Sequence, residues 1–375
     1  MVMVTQDKQK SINQQSAAVY NRLLIIKLLR KHRQLTRTQL AEYTQLQNST
    51  MSYIIRDFIN RGIVIESGKR ESGAGNKKQT YLQVNPKMGW VIGIVIQNVY
   101  AELVKVDYAG TIIDSCNFEV SEDIKTLPEY LKNRLEQWFE DRGRPPGPMK
   151  GLCLGLPGVV DPGRGIIKGS KFFNVTDYPI ADDLKFYFPQ AEVIIDNDVR
   201  QSALAEYHCE GFNLKDFLFF YSNYAKAGNG VKANYFGTCQ FVNGEMVTGM
   251  TRSAGELSGI LNPHDGPVLS QEDWDLLQDP DGELTPALKN LGTWILPWME
   301  SIASFTDPGN IVMGGSMNWQ NSKLLEMMNE NLNSRLNRSG EREIKILKAQ
   351  SPVQGVAYGA AITLLDHLAP QLLNQ

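Results

Sequence analysis

Side chains able to contact a nucleic-acid duplex crowd a short stretch near the N-terminus. Asn48, Ser49, Thr50, Ser52, Tyr53 and Arg56 offer amide, hydroxyl and guanidinium groups that can hydrogen-bond base edges. Arg37, Lys69, Arg70, Lys77 and Lys78 offer cations suited to phosphate oxygens, contacts that fix register without reading sequence. From Asn21 to Thr80 there are 12 Lys and Arg against 4 Asp and Glu; residues 1–20 add one positive charge, and residues 81–375 carry a net −12. The overall net charge of −3 therefore hides a strong segregation. A basic head on an acidic body fits a nucleic-acid-binding module joined to a domain that avoids nucleic acid; the bland alternative is a solvated surface of the same sign.

The elements that must position those residues can be read from apolar spacing. NRLLIIKLLRKHRQ, from Asn21, sets Leu23, Ile26 and Leu29/Arg30 on successive turns, an amphipathic helix with a basic outer face. Thr36 is an N-cap candidate for a short helix that turns Leu40 and Ala41 inward. After the turn TQLQ a third helix opens at Asn48 or Ser49 and runs to Asn60. Its Met51, Ile54, Ile55, Phe58 and Ile59 keep i, i+3, i+4, i+7, i+8 spacing, which leaves Ser49, Ser52, Tyr53 and Arg56 outward, as a recognition helix requires. Gly62 is a natural C-cap, and Ile63–Ser67 with Thr80–Val84 read as the strands of a hairpin whose tip is rich in Gly and Lys: a cationic wing.

Past Pro86 the texture changes to strands alternating with helices, an α/β pattern. GWVIGIVIQ, YAELVKVDYAG and TIIDSCNFEV read as three strands, followed by a helix with Leu127, Leu131, Leu135 and Phe139 inward. Composition is that of ordinary globular material, with 42% hydrophobic and 21% charged residues. No apolar run reaches the ~20 residues of a membrane span, and the N-terminus lacks a signal-peptide core, so a cytoplasmic protein without membrane association is expected. Cys116, Cys153, Cys209 and Cys239 lack CxxC spacing, which suggests neither a disulfide framework nor a cysteine zinc site.

Six short motifs, in order, carry a resemblance. Leu46-Gln47-Asn48-Ser49-Thr50-Met51-Ser52, Leu156-Pro157-Gly158-Val159-Val160-Asp161, Asn197-Asp198, Ala254-Gly255-Glu256, Gly314-Gly315 and Gly359-Ala360 resemble the ROK family, named for repressors, open reading frames and kinases. The similarity spans nearly the whole chain, since repressor members carry such a winged head. It implies an α/β protein: a winged helix-turn-helix followed by a two-lobed, ribonuclease-H-like sugar-kinase-like domain of the actin and hexokinase type, with a hexose in the cleft. The expected division is a flexible tail over 1–14, a DNA-binding head over 15–85 and an effector body over 86–375. Within the body, lobe I covers about 86–205 plus the C-terminal helix and lobe II about 206–355.

Departures from the family pattern bear on function. Kinase members have an acidic residue, glycines and a threonine in the first hairpin to hold phosphate and metal; here those positions are Val95, Gln97, Asn98, Val99 and Tyr100. The glycine-rich second phosphate loop reads Tyr235-Phe236-Gly237-Thr238-Cys239, whose bulk would fill the nucleotide's space. Gly259 stands where a zinc-binding His is common, so neither zinc nor any cofactor is expected, and His264 is read as a loop histidine. The sugar side survives in Gly158, Asn197, Asp198 and Glu256. The resemblance makes Asp198 the counterpart of the kinase base and Asn197 and Glu256 partners of sugar hydroxyls. The bland alternative is that Asp198 only caps the following helix, with Gln201 completing a capping box, and Asp161 is as well read as a turn residue as a ligand contact.

The expectation is a non-catalytic transcriptional repressor of carbohydrate genes. It would bind a double-stranded DNA operator as a homodimer or tetramer and respond to a sugar or sugar derivative. Two other classes stay open: an ATP-dependent hexose kinase with an accessory head, and an interaction scaffold whose head touches no DNA.

Overall fold

The computed structural model describes residues 3–70, 79–97, 100–120, 123–209, 211–257, 265–315, 317, 319–336, 343–351 and 355–374. Its N-terminal part is three helices and a small sheet. Helix α1 (Met3–His32) starts well before Asn21 and takes in most of the expected flexible tail, 1–14; no Gly or Pro interrupts residues 3–20. Strand β1 (Leu35–Thr36) leads into α2 (Arg37–Thr44), started by a reciprocal capping box in which Thr36 Oγ1 accepts from Gln39 N at 3.3 Å and Gln39 Oε1 accepts from Thr36 N at 3.0 Å. Helix α3 (Asn48–Asn60) buries Met51, Ile54, Ile55 and Phe58, while Ile59, expected inward, is half-buried. Strands β2 (Val64–Arg70) and β3 (Gln79–Val84) pair antiparallel and β1 joins the outer side of β3; β2 starts one residue later and ends three residues later than the expected Ile63–Ser67.

The body holds two five-stranded sheets built on one plan. In the first, β4 (Trp90–Gln97), β5 (Tyr100–Asp107) and β6 (Ile112–Glu119) form an antiparallel meander. Beside β4, β7 (Met149–Leu156) and β11 (Glu192–Asn197) lie parallel, giving the order β11-β7-β4-β5-β6. In the second, β12 (Phe217–Ala227), β13 (Gly230–Val242) and β14 (Glu245–Val247) form the meander. There β15 (Asn310–Gly314) and β16 (Lys345–Lys348) are the parallel pair beside β12. Each sheet thus runs third, second, first, fourth, fifth strand across. Central β4 is buried from Trp90 to Ile96, which explains its unbroken apolar run. Between β7 and β11 a minor sheet is inserted from β8 (Val159–Asp161), β9 (Ile166–Ser170) and β10 (Val175–Tyr178).

Helices α4 (Leu127–Arg142), with Leu127, Leu131, Leu135 and Phe139 buried, and α5 (Ile180–Tyr187) flank the first sheet. Helix α6 (Asp198–Tyr207) follows β11, and α7 (Gln271–Gln278), α8 (Pro286–Thr306) and α9 (Ser322–Leu336) belong to the second half. No helix among the described residues is long and apolar enough to cross a membrane.

The last helix, α10 (Val356–Leu373), packs on the first sheet, on α6 and on the N-terminal part at once. One continuous core unites Ile25, Ile26 and Leu29 of α1 with Phe58, Val91 and Leu365. Arg30, expected on a basic outer face, points inward and is buried. Its Nε donates to Tyr108 O at 3.2 Å, its Nη1 donates to Leu365 O at 2.7 Å, and Asp366 lies 3.5 Å away. Arg33 donates to the Tyr358 hydroxyl at 3.0 Å and Arg61 to the carbonyl of Leu372.

The contacts of α10 with α6 and with β4 demand glycine. A Cβ on Gly359 would stand 1.8 Å from Gln201 O, and one on Gly93 would stand 1.9 Å from Ala357 O, backbone atoms that cannot swing aside. Gly359→Ala is therefore expected to cost at least about 1–3 kcal/mol, read as a lowered urea midpoint; an unchanged midpoint would show that the two helices can separate freely.

Candidate functional site

The four residues expected at the cleft converge from different elements. Asn197 ends β11, Asp198 opens α6, Gly158 follows β7, and Glu256 comes from the second half through a bridge to Gly237 of β13. The first three lie at the carboxyl ends of two parallel strands, where α/β sheets present ligand crevices. The Asn197 amide joins them: Nδ2 donates to Gly158 O at 2.9 Å and lies 3.1 Å from Asp198 Oδ1 and 3.4 Å from Glu256 Oε1. Gly158 has φ 115°, and a Cβ there would meet Gly169 O at 2.4 Å, so the turn tolerates no side chain.

The capping reading of Asp198 is displaced by one residue. Asn197 is the N-cap of α6, its Oδ1 accepting from Arg200 N at 3.1 Å, while Asp198 sits in the first turn and accepts from Val199 N at 3.0 Å. Gln201 caps nothing; its Nε2 reaches Cys153 Sγ at 3.1 Å. Asp161 takes the turn alternative, its Oδ1 accepting from Gly163 N at 3.1 Å and Arg164 N at 3.3 Å.

Electrostatics at this cluster favour the protonated form of its carboxyls. Burial pushes the Asp198 carboxyl up to about 8, and the nearby charge of Glu256 adds to it. Glu256 is also raised, first by burial; the Tyr235 hydroxyl, donating to its Oε2 at 3.2 Å, works against that. A protonated Asp198, an acceptor at Glu256 and the Asn197 amide together can meet the mixed donors and acceptors of a polyol. Three participants were not identified in the sequence. The sequence shows Tyr235 only as bulk. Arg200, which donates through Nε to Asp196 Oδ1 at 2.6 Å and to Arg252 O at 2.8 Å, was signalled by its i,i+4 spacing from Asp196. Tyr221 was signalled by nothing; it receives Gln97 Nε2 at 2.9 Å.

The segments facing this cluster differ from phosphate loops. Val95 is buried in β4, Gln97 is spent on Tyr221, and Tyr100 starts β5; Asn98 and Val99 lie outside the described residues. Tyr235-Phe236-Gly237-Thr238-Cys239 is continuous strand, paired residue by residue with Phe219–Asn223 of β12. Among the described residues no cluster of His, Cys, Asp and Glu could hold a metal; Gly259 and His264 lie outside them, and none of the four cysteines forms a disulfide.

At the other end of the chain, Asn48, Ser49, Thr50, Tyr53 and Arg56 are exposed along α3, Tyr53 at 66%, and Ser52 is half-buried beside them. No carboxylate lies within 4 Å of Arg56 among the described residues, whereas Arg37 is engaged with Glu66 at 3.4 Å, an exposed pair of little energy. Lys69 and Arg70 fall on β2; Lys77 and Lys78 lie outside the described residues.

Residues 91–268 match the ROK family. A xylose repressor of Caldicellulosiruptor bescii is 28% identical over 191 residues, 50% of this chain and 47% of that protein, so this chain spans about half the length of that relative. A xylose repressor of Bacillus subtilis is 21% identical over 379 residues, covering 92% of this chain and 95% of its own. The crystal structure of a ROK family transcriptional regulator, a homolog of the Escherichia coli MLC protein, superposes with a TM-score of 0.68 at 15% identity over 95% of this chain and 99% of that one, which establishes the shared fold.

The raised Asp198 gives a test. A carboxyl shifted from 3.8 to about 8 keeps, in the folded protein, a proton that the unfolded chain releases near pH 4. Stability from this group is thus complete at low pH and drains away by up to about 1.4 kcal/mol per pH unit as pH rises toward 8. Asp198→Asn should flatten that decline, seen as urea midpoints converging on a pH-independent value between about pH 5 and about pH 8. Parallel pH profiles for the two proteins would rule the shift out.

Proposed function

We propose that this chain, whose residues 91–268 form a ROK-family domain, is a DNA-binding transcriptional repressor that answers to a sugar or sugar derivative. The observation that carries the reading is the exposed polar face of α3 on a strongly basic N-terminal part. In this reading residues 15–85 are a winged helix-turn-helix. Helix α3 enters a major groove with Asn48, Ser49, Thr50, Ser52, Tyr53 and Arg56 toward base edges. Arg37, after leaving Glu66, joins Lys69, Arg70, Lys77 and Lys78 on phosphates. A homodimer would put two such heads on a pseudo-palindromic operator. The repressor names of the Caldicellulosiruptor and Bacillus relatives support this assignment.

Gly158, Asn197, Asp198 and Glu256 would take the sugar. A route from there to the head is built into α6. Its first turn holds Asp198, and near its other end the buried carboxylate of Glu206 accepts from Gln350 N and Ser351 N, both at 2.8 Å, just ahead of α10. Helix α10 in turn holds Arg30 of α1. A ligand that favours one tilt of α6 therefore biases the head's position by as much as its affinity differs between the two tilts. The paired strand at Tyr235–Cys239 and the engaged Gln97 favour sensing over phosphoryl transfer, because a base without a held phosphoryl donor transfers nothing.

Gel retardation on fragments from the neighbouring genes, over a salt series and with a hexose panel, tests this. Affinity should fall steeply with salt and change with one sugar. Arg56→Ala should cost about 1–3 kcal/mol of operator binding. Absence of retardation on every fragment, or sugar-dependent ATP consumption that Asp198→Asn abolishes, would overturn the proposal.

A further inference from the structure

A cavity of about 400 Å³ lies where the N-terminal helices meet the body; Gly158, Asn197, Asp198 and Glu256 do not line it. Lys27, Lys31 and His32 line it from the head side, and Tyr207, His208 and Lys215 from the body side. Its volume falls in the range of small-molecule sites. Its charge is unevenly settled. The lining carboxylates are each matched: Glu245 by Lys27 at 3.8 Å, Asp366 by Arg30 at 3.5 Å, and Asp196 by Arg200. Lys31 and Lys215 have no carboxylate within 4 Å among the described residues. The Lys31 ammonium instead rests 3.3 Å from the centre of the Tyr207 ring. His208 is buried, and its Nδ1 has no hydrogen-bond partner.

We propose that this junction is a binding site for a small dianion of the phosphomonoester class, held by Lys31, Lys215 and the His208 imidazole. Two unmatched ammonium groups facing one cavity supply the charge, and an imidazole nitrogen without a partner supplies a directional contact. The local field agrees. Burial, with Lys215 next, pushes Lys31 down to about 8, and burial followed by Lys31, Arg33, Arg30 and Lys27 pushes His208 down to about 3. An anion in the cavity relieves both. Because Lys31 belongs to α1 while Lys215 and His208 belong to the body, an occupant bridges the two parts; its effect on DNA rests on the regulator reading, but its binding does not.

Calorimetry of the full chain at fixed ionic strength, with inorganic phosphate, glucose 6-phosphate and glucose as probes and no DNA, separates the two. Saturable binding of both phosphate-bearing probes is expected. Lys215→Met, on an exposed side chain, and Lys31→Met should each weaken it by about ten- to a hundredfold, and Lys215→Arg should retain it, with circular dichroism confirming the fold of each. No saturable response, affinity unchanged in Lys215→Met, or displacement of phosphate by glucose would overturn the proposal. So would loss of DNA retardation in Lys31→Met without any phosphate binding, which would put a nucleic-acid phosphate against Lys31 instead.

Discussion

The guanidinium of Arg30 is withdrawn from water at the meeting point of the N-terminal helices and the body, and the geometry of the protein turns on what surrounds it. Desolvating a permanent cation is costly, and burial alone lowers its pKa; the Asp366 carboxylate and the carbonyls of Tyr108 and Leu365 offset that cost. Such a pair contributes little net stability compared with an apolar substitute. It does define a direction, because the planar guanidinium reaches the carbonyls of Tyr108 and Leu365 together, with Asp366 alongside, in only a narrow range of orientations of α1 over α10. The apolar core shared by Ile26, Leu29 and Leu365 supplies the adhesion, and Arg30 supplies the alignment.

Alignment matters because α10 is also the floor under α6. The helices meet through Gly359, so closely that backbone lies against backbone, and interfaces of that kind do not deform smoothly. Helix α6, about 15 Å long, presents Asn197 and Asp198 to the interlobe cluster at one end and Tyr207 and His208 to the junction cavity at the other. If both proposed sites bind, one helix joins them: an occupant that prefers one setting of α6 at either end would alter the affinity at the other end by the same factor, since such coupling is reciprocal.

Much of this could be read in the sequence, wherever the signal was local. The apolar spacing of Met51, Ile54, Ile55 and Phe58 located α3 and its exposed face, and the unbroken run Trp90–Ile96 announced a central strand. The short motifs brought Gly158, Asn197, Asp198 and Glu256 to within one amide's reach of each other. What escaped depends on distant partners. Arg30 resembles any helix-surface arginine until Asp366, over three hundred residues away, is brought beside it. Arg37 gives no hint that Glu66 engages it, and the sequence does not decide which of Asn197 and Asp198 caps α6, because both are competent N-caps. The length of α1 is not legible in its early residues, which are polar and carry no apolar stripe, although nothing in them breaks a helix.

The hairpin of β12 and β13 has an evolutionary implication. Where a glycine-rich loop would leave amides free for a nucleotide, this chain pairs them into a ladder from Phe217↔Phe241 to Ala227↔Gly230, with Phe219, Phe220 and Tyr221 seated in the interior. A single glycine introduced there would not open a ladder whose side chains are shared between two cores. Drift at those positions is constrained by folding itself, whatever the hairpin faces.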